Sequence, residues 1–583
     1  MHAHPGVRGR MTGARAAVAA LLCERTPCVF GVPGAQNNEF WDAMKQGGLP
    51  YLLVTHEASA SVMADAAARV TGQVGVFAVV PGPGLTNALT GIGEARLDSV
   101  PIVGLVTDVD RSPGAPVGQV HSLDNVGLLR PICKGVVEVR HQAEIPGAIH
   151  EAFRLARNGE PGPVAVVIPY TFYTLAWDYD GVVPPPYPLA FDESAYRKAR
   201  AVLSDRNKRV GIYAGAGCSN AGPALAAVAE MLQAPVATSV SGKGVISDRH
   251  PLAVGWGYGG QGTRAAEKAF KDVDLVLAVG VKYSEVSTAN YAIPPRTVVH
   301  VDANKANLGR NVAATACVHA DAKTFFDRLL ADAPAVCRPA ARNLKRKIHL
   351  ARDRDRLDNA AVKTAGCVDP MPFLVHLRCA LAPDDLIFVD VTASTHWASE
   401  AVEVPGPRRY FTPANNQSMG WAIPASIGAQ RVRPGVRVAT VTGDGCFLMS
   451  AIETSTAARA GLPVKFFVLD DGVYHYMQML QETVYRRTTA TELARVDFAA
   501  FAASMGLGFN QIAQNGDVPA GIARALAMPG PVLTRVVINY DGREIRWLTA
   551  LKSSYIDNLN TDQKVRMASR VVVRSLDRDP END

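Results

Sequence analysis

The sequence lacks the features that would place it in several special classes of protein. It has no Cys-x-x-Cys pair, and its nine cysteines are an odd number spread along the chain (residues 23, 28, 133, 218, 317, 337, 367, 379 and 446). This pattern argues against a disulfide framework or a zinc site and favours reduced thiols in the cytoplasm. No run of 18 apolar residues occurs, so no membrane-spanning helix is expected.

The sequence also has no large excess of positive or negative charge. Lysine and arginine number 60 and aspartate and glutamate 54, which leaves a formal charge of +6. No basic stripe interleaved with aromatic residues is present, so nucleic acid is not an expected partner. A hydrophobic content of 48% over 583 residues instead predicts a soluble globular protein of three or four domains.

The N-terminus needs to be distinguished from a secretory signal. Arg8, Arg10 and Arg15 precede the apolar stretch AAVAALLC, as basic residues do in signal peptides. Thr12, however, can cap a helix, and the chain continues directly into CVFGVPG, which is typical of a strand and a turn. We therefore predict a helix of the folded domain here.

Short β-branched runs alternate with alanine-rich helical stretches along most of the chain. Continuous apolar strands of this kind predict parallel sheets covered on both faces. Proline-rich WDYDGVVPPPYP and charged ARNLKRKIHLARDRDRLDNA are typical of a linker and a helical connector. The fold class is therefore α/β, with three consecutive doubly wound parallel-sheet domains followed by a helical C-terminal tail. Their predicted ranges are 11–176, 191–335, 370–545 and, for the tail, 546–583.

The segment VTGDGCFLMS places Asp444 between two glycines, where a strand ends and a helix begins. A helix start at the edge of a parallel sheet favours a phosphate, but an aspartate beside a phosphate is repulsive unless a cation lies between them. The next strand, VKFFVLDDG, ends in Asp470 and Asp471, the latter 27 positions after Asp444. Alone, Asp-Asp-Gly is a common turn. The pair of strand ends predicts a divalent hard cation, magnesium by preference.

These two segments together resemble the signature of thiamine diphosphate enzymes, a Gly-Asp-Gly followed at fixed spacing by an Asn-Asn pair. The resemblance implies that Asp444, the side chain of Asp471 and the carbonyl of Val473 bind the magnesium ion that anchors the diphosphate. This chain has Asp470-Asp471 in place of Asn-Asn. The substitution keeps an oxygen ligand and adds negative charge beside the diphosphate.

The N-terminal segments VFGVPGAQNNEFWDAM and VTHEASASVMADAAARVTG are similar to the pyrimidine-binding domain of the acetolactate synthase, pyruvate oxidase and pyruvate decarboxylase superfamily. The resemblance makes Glu57 the catalytic glutamate; taken alone, Glu57 would be an ordinary acid at a helix start. NNQSMGWAIPASIGAQ resembles the segment whose large side chain, here Met419, lies under the cofactor while the Gln417 carbonyl accepts from its aminopyrimidine. The alternative for Met419 is a core-filling role.

The same resemblance implies further residues around the cofactor and the substrate. Additional cofactor contacts are expected at Pro33, Pro83, Asn87, Gly443, Gly445, Cys446 and Tyr474. The substrate pocket is expected to comprise Gly34, Ala35, Gln36, His121, Thr395, His396, Met477 and Gln478. The two histidines can orient a substrate carboxylate or relay protons near neutral pH, or serve as ordinary structural residues.

The implied activity is decarboxylation of a 2-oxo acid such as pyruvate and transfer of the remaining fragment to an acceptor, as in acetolactate synthase. Alternatives are a non-oxidative decarboxylase, a carboxyethylarginine synthase-like ligation to an amine, and a catalytically inactive binding protein on this fold. Pyruvate decarboxylases carry two adjacent histidines near position 121, and acetolactate synthases a Phe-Gln-Glu; this chain has neither. Because different subunits hold the two halves of the cofactor in this family, a homodimer is the expected minimum and a homotetramer the expected assembly.

Some relatives in this superfamily also hold FAD in the middle domain. Here that domain contains GIYAGAGCSNAG, whose glycines could approach a dinucleotide phosphate. The spacing is not Gly-x-Gly-x-x-Gly, and no acidic residue is suitably placed after the next strand. The sequence therefore favours a middle domain without FAD.

Overall fold

The computed structural model contains three six-stranded parallel sheets, one in each predicted domain. The structure describes residues 6–557, apart from 182, 184, 186, 188–190, 292, 294 and 295, and also positions 561, 566 and 569. Parts of the predicted proline-rich linker and most of the tail beyond residue 557 lie outside the described residues. Within the described part of the chain, no helix combines the length and the apolar character needed to cross a membrane.

The predicted helix of the N-terminal domain is confirmed, and its first turn is capped by the Thr12 hydroxyl, which accepts from the Arg15 amide at 3.5 Å. Its strands are β1 (Arg8–Thr12), β2 (Val29–Gly31), β3 (Tyr51–Leu53), β4 (Gly75–Val79), β5 (Ile102–Asp108), β6 (Gly135–Glu138), β7 (Val164–Pro169) and β8 (Ala176–Asp180). Its helices are α1 (Gly13–Cys23), α2 (Asn38–Gly47), α3 (Glu57–Thr71), α4 (Pro83–Leu97), α5 (Asn125–Leu129), α6 (Ile145–Arg157) and α7 (Thr171–Thr174). The sheet order is β3-β2-β4-β5-β7-β6, and β1 pairs antiparallel with β8 just outside it.

The middle domain repeats the same plan. Its strands are β9 (Val210–Ala214), β10 (Val236–Thr238), β11 (Ala253–Trp256), β12 (Leu275–Val279), β13 (Thr297–Asp302) and β14 (Ala316–His319), in the order β11-β10-β9-β12-β13-β14. Its helices are α8 (Glu193–Leu203), α9 (Gly222–Leu232), α10 (Arg264–Phe270), α11 (Glu285–Thr288), α12 (Ala322–Ala331) and α13 (Ala333–Val336). The predicted charged connector is confirmed as the largely exposed helix α14 (Leu344–Ala360).

The C-terminal domain carries the Gly-Asp-Gly segment. Its strands are β15 (Leu386–Val389), β16 (Tyr410–Phe411), β17 (Val438–Gly443), β18 (Lys465–Asp470), β19 (Gly508–Ile512) and β20 (Val532–Val537), in the order β16-β15-β17-β18-β20-β19. Its helices are α15 (Pro370–Ala380), α16 (Ser394–Ala401), α17 (Ala422–Val432), α18 (Asp444–Ser450), α19 (Thr454–Arg459), α20 (His475–Tyr485), α21 (Phe498–Ser504) and α22 (Val518–Ala527), and the tail begins with α23 (Arg546–Asp557).

The N- and C-terminal domains of the chain share one hydrophobic core. Helix α3 packs on α17, and a single buried cluster contains Phe30 and Phe77 from the first domain with Phe388 and Phe466 from the third. Trp421 contributes its ring to this cluster and donates its indole N–H to the carboxylate of Asp65 in α3 at 3.1 Å. The two outer domains therefore form one packed unit.

A buried ion pair joins residues near the two ends of the C-terminal domain. The Arg543 guanidinium lies 2.7 Å from the Asp369 carboxylate, with side chains 3% and 0% exposed. We expect Asp369→Ala to destabilise the protein by about 3 to 5 kcal/mol, because it leaves a buried, unpaired arginine. A fall of several degrees in the thermal midpoint would show this.

The matched control is Asp384→Ala. Asp384 pairs with Arg409 at a similar distance of 2.8 Å, but its side chain is 76% exposed. Loss of such a surface pair costs about 0 to 1 kcal/mol. Equal shifts in the two variants would contradict the assignment of stability to the buried pair.

Candidate active site

The predicted strand end and helix start at the Gly-Asp-Gly segment are confirmed. Strand β17 ends at Gly443 and α18 begins at Asp444. Gly443 pairs in register with Leu469 of the neighbouring parallel strand, so the turns after both strands meet at one edge of the sheet. The Gly472 amide donates to Asp444 Oδ2 at 2.7 Å and ties the two turns together.

The structure separates the two adjacent aspartates of the second turn. Asp470 turns to Arg535, with its Oδ2 2.6 Å from Nε, whereas Asp471 lies on the side of Asp444 and 2.9 Å from His475 Nδ1. Burial and the negative charge of Asp471 raise the pKa of Asp444 to about 7. A buried Asp444 carboxyl group whose charge is disfavoured by a second carboxylate nearby forms, with that carboxylate, a donor set suited to a hard cation.

The described residues contain no cluster of three or more histidine, cysteine, aspartate or glutamate side chains arranged for a metal. An ion at this turn would therefore take two carboxylates, and its remaining ligands would be backbone, water or phosphate oxygens. This composition is typical of magnesium, which usually binds through one or two carboxylates together with phosphate groups. The residues present fit a magnesium diphosphate.

The predicted cofactor residues of this domain lie around the same turn. A Cβ added to Gly445 would lie 2.5 Å from Tyr474 Cε1, so only glycine allows that ring to pack on the turn. Cys446 is buried and its thiol contacts the Val391 carbonyl at 2.9 Å. Gly443 packs beside Thr392, where an added Cβ would lie 3.1 Å from Cγ2.

The other predicted half of the site is on the N-terminal domain. Glu57 is the first residue of α3 and is half-buried. Asn87 of α4 donates its side-chain amide to Glu57 Oε2 at 3.1 Å, which restrains the orientation of the carboxyl group. Pro83 opens α4 behind Gly82, whose φ of 63° requires glycine.

A glutamate that the sequence did not single out fixes the turn before Glu57. Glu453, from the C-terminal domain, accepts the Thr55 amide at 3.2 Å on each carboxylate oxygen and also accepts the Thr55 hydroxyl. Arg459 donates to the Leu53 carbonyl in the same turn. The C-terminal domain therefore positions the start of α3 within its own chain.

A second missed residue supports the segment with Gln417 and Met419. Asp390, fully buried, accepts the Gly420 and Ala422 amides at 3.1 Å each. Asp390 follows β15 directly, as Asp444 follows β17. An acidic residue at the end of a predicted strand is therefore the sequence feature that could have identified it. Gln417 is exposed with φ of 53°, and Met419 is half-buried.

The predicted substrate residues fall into two groups. In the N-terminal domain Gln36 Nε2 lies 3.2 Å from His121 Nδ1, so the structure brings the turn after β2, with Pro33, Gly34 and Ala35, to the His121 loop. In the C-terminal domain Thr395 donates to the Asp390 carbonyl at 2.6 Å. Met477 and Gln478 lie on α20, directly after the turn that contains Asp471, and Met477 is 43% exposed.

The environment of His396 does not favour the proton relay that the sequence suggested. Its ring is buried and stacks on Trp547 with centroids 4.9 Å apart. Burial lowers the pKa of His396 to about 4, so the ring stays uncharged near neutral pH. Trp547 opens the tail and donates its indole N–H to the Val286 carbonyl at 2.7 Å, which anchors helix α23 to the middle domain.

The glycines of GIYAGAGCSNAG have a packing role. A Cβ on Gly215 would lie 2.0 Å from the Gly280 carbonyl oxygen, and one on Gly217 would lie 2.8 Å from Gly280 Cα. Two neighbouring turns after β9 and β12 therefore approach at backbone distance. This contact gives Gly215 and Gly217 a packing role.

Comparison with known proteins gives a match in each of the three domains. Residues 11–127 match the family described as "Thiamine pyrophosphate enzyme, N-terminal TPP binding domain", residues 197–329 the central domain, and residues 390–536 the C-terminal TPP binding domain of the same enzymes. Thiamine pyrophosphate and thiamine diphosphate are the same compound.

Curated relatives match over nearly the whole chain. The chain is 30% identical over 551 residues to a probable acetolactate synthase large subunit of Methanocaldococcus jannaschii, covering 91% of this chain and 92% of the relative. It is 30% identical to an acetolactate synthase of Arthrospira platensis (91% and 95% covered) and 29% identical to the isozyme 2 large subunit of Escherichia coli strain K12 (91% and 96% covered). With matches of this extent in all three domains, the chain belongs to the family of thiamine diphosphate-dependent enzymes.

Proposed function

We propose that the chain is a carboligase that decarboxylates a 2-oxo acid, pyruvate first among the candidates, and transfers the remaining fragment to an acceptor. The observation that carries this is the pairing of Asp444 and Asp471 at one sheet edge, with Glu57 fixed by Asn87 at the start of α3. Acetolactate synthases as relatives over nine-tenths of the chain support transfer rather than simple decarboxylation.

In this proposal Asp444, Asp471 and the Val473 carbonyl hold magnesium, and the diphosphate lies against Gly443, Gly445, Cys446 and Tyr474. Bound thiamine diphosphate supplies the electron sink that decarboxylation of a 2-oxo acid requires. Two aspartates replace the two asparagines of the signature. Because Asp470 is paired with Arg535, it adds less negative charge to the site than the sequence alone implies.

Glu57 is proposed to exchange a proton with the aminopyrimidine through Oε1. Asn87 holds the other carboxylate oxygen, so the group keeps one orientation. Gln417 and Met419 would contact the ring system from the C-terminal domain, and Pro33, Pro83 and Asn87 from the N-terminal domain.

The paired Gln36 and His121 side chains are proposed to orient the substrate carboxylate. Both present polar groups at the turn beside Gly34 and Ala35, and both belong to the same domain as Glu57. Thr395, His396, Met477 and Gln478 would line the opposite side. His396 would line the pocket there as an uncharged ring stacked on Trp547.

The test is incubation of the purified chain with thiamine diphosphate, magnesium and pyruvate, with and without aldehyde, 2-oxo acid and amine acceptors. Carbon dioxide release together with acetolactate or another condensation product supports the proposal. Acetaldehyde as the sole product would favour a decarboxylase, and an amine adduct a carboxyethylarginine synthase-like enzyme. Bound cofactor without turnover over a broad panel of 2-oxo acids would favour an inactive binding protein.

We further propose a homodimer as the minimal unit, assembled as a homotetramer in the cytoplasm, with Glu57 and Asp444 of each site coming from different chains. Leu448, Met449 and Ile452, which follow Asp444, are 42%, 55% and 64% exposed. These three exposed apolar side chains lie within one short segment, directly before Glu453, which binds the turn preceding Glu57. Such a surface supports the proposal that a second copy of the chain covers it.

Co-expression of a Glu57→Gln chain with an Asp444→Asn chain tests this arrangement. Each variant alone is expected to be inactive. If one site takes Glu57 from one chain and Asp444 from the other, random assembly leaves about a quarter of the sites intact, so about a quarter of wild-type kcat per site should return. Co-expression of Glu57→Gln with Glu57→Ala is the control and should restore none. No recovery in the first mixture would place both residues of a site in one chain.

A further inference from the structure

Three carboxylates hold the backbone of the segment that contains Gln417 and Met419. The segment forms no helix or strand of its own between β16 and α17, so these bonds replace regular secondary structure. Asp98 accepts the amides of Ala414 and Asn415, Glu94 accepts that of Ser418, and Asp390 accepts those of Gly420 and Ala422, at 3.0 to 3.1 Å. Glu94 lies in α4 of the N-terminal domain, and Asp98 is the residue that caps the C-terminus of that helix.

Glu94 differs from the other two acids in having a buried carboxyl oxygen without a hydrogen-bond partner among the described residues. It is 0% exposed, and its Oε2 accepts the Ser418 amide at 3.1 Å. Its Oε1 is buried without a hydrogen-bond partner among the described residues. Arg69 is the nearest cation at 3.9 Å, but its guanidinium already binds Asp65 at 2.8 Å and Asp98 at 3.0 Å.

A buried acid in this setting is costly to keep charged. Burial and the charge of Asp98 raise the pKa of Glu94 to about 9, so the carboxyl group is neutral near pH 7. Burying even a neutral polar group with one unpaired oxygen destabilises a fold. Among the described residues, the hydrogen bond that offsets part of this cost is the one from the Ser418 amide.

The placement of Glu94 on α4 also links it to Glu57 of its own chain, which in the proposed dimer belongs to the second active site. Asn87, which binds Glu57, and Glu94 are seven residues apart on this helix, so they lie on nearly the same face and about 10 Å apart along the axis. One rigid helix therefore contacts both segments assigned to the cofactor.

We propose that Glu94 is a positioning residue that holds the Ser418 amide and thereby sets Gln417 and Met419 for the cofactor. This inference rests on the proposed function, in which the 417–419 segment contacts thiamine diphosphate. Glu94 itself touches no reacting atom. Its side-chain oxygen acts through the backbone of the segment.

The test compares Glu94→Ala with Glu94→Gln. The dissociation constant for thiamine diphosphate is measured by fluorescence titration with magnesium present. Alanine removes the acceptor for the Ser418 amide and should weaken binding about tenfold, equivalent to about 1.4 kcal/mol. Glutamine keeps a carbonyl acceptor of the same length and should bind within about twofold of the wild type.

Amide hydrogen exchange of the 412–421 peptide, measured without cofactor, reports on the same bond independently. It should rise about tenfold or more in Glu94→Ala and stay near wild type in Glu94→Gln. Glu160→Ala is the matched control, because Glu160 is a mostly buried acid that joins the N-terminal and middle domains through Lys282 at 2.6 Å. It should lower thermal stability without changing either measurement.

Unchanged exchange and unchanged affinity in a folded Glu94→Ala protein would overturn the inference. So would a Glu94→Gln protein as impaired as Glu94→Ala, since the acceptor would then not be what matters. A wild-type protein that binds no thiamine diphosphate would overturn the proposed function instead, and the exchange result would still show whether Glu94 holds the segment.

Discussion

Glu57→Gln is expected to lower kcat by about 10²- to 10⁴-fold with no measurable change in thermal stability. A positioned general acid or base contributes a factor of this size, and glutamine fills the same space without exchanging a proton. Because Asn87 fixes the carboxyl group from one side, glutamine can still occupy the site. Steady-state kinetics with saturating thiamine diphosphate and magnesium, together with thermal melting, would measure both effects.

The control for Glu57 is Glu39→Gln. Glu39 is also an acidic residue in the first turn of a helix of the N-terminal domain, and it is exposed. It shares with Glu57 a favourable interaction with a helix dipole, worth less than about 1 kcal/mol. Full activity in Glu39→Gln and a large loss in Glu57→Gln would separate chemistry from helix stabilisation. A loss below about threefold in Glu57→Gln would contradict the catalytic assignment.

Asp444→Asn is expected to abolish turnover at ordinary magnesium concentrations and to weaken the apparent magnesium affinity by a hundredfold or more. Substitutions one shell away from a metal commonly cost ten- to a hundredfold, and a direct ligand should cost at least as much. The cofactor-free variant should differ little in stability from the wild type, because asparagine removes the repulsion from Asp471 but keeps only one of the two oxygens that accept the Gly445 and Gly472 amides. Magnesium titration of activity and thermal melting without metal would measure the two effects.

Asp470→Asn is the control. It removes the carboxylate next to Asp471, and that carboxylate binds Arg535. Its magnesium dependence should stay within a few-fold of the wild type. A loss as large as that of Asp444→Asn would show that the extra acid is itself a ligand. A large loss of stability in the metal-free Asp444→Asn protein would show that the bonds to the Gly445 and Gly472 amides outweigh the repulsion between Asp444 and Asp471.

Much of the fold could be predicted because its signals are local. The apolar strands, the helix caps and the turn at Asp444 each depend on residues within about ten positions of one another. The choice between Asp470 and Asp471 could not be derived from the residues alone, because the partner of Asp470 is Arg535, on a strand 65 positions further along.

The residues that the sequence did not reveal act across domains. Glu94 binds Ser418 over 324 positions and Glu453 binds Thr55 over 398. A single acid on a helix has an ordinary surface explanation, and nothing near it in the sequence indicates a partner so distant. His396 is a similar case, since its uncharged state follows from burial against Trp547 in the tail.

The shared core of the two outer domains limits how the enzyme could be recombined with its relatives. A chimera that exchanges only the N-terminal domain would set a foreign surface against α17 and remove the partners of Glu453 and Ser418. The exchangeable module is therefore the N-terminal domain together with residues 412–432 and 453–459 of the third. The middle domain contributes to neither of these contacts, but a replacement for it would have to supply the partners of Glu160 and Trp547, which are Lys282 and the Val286 carbonyl.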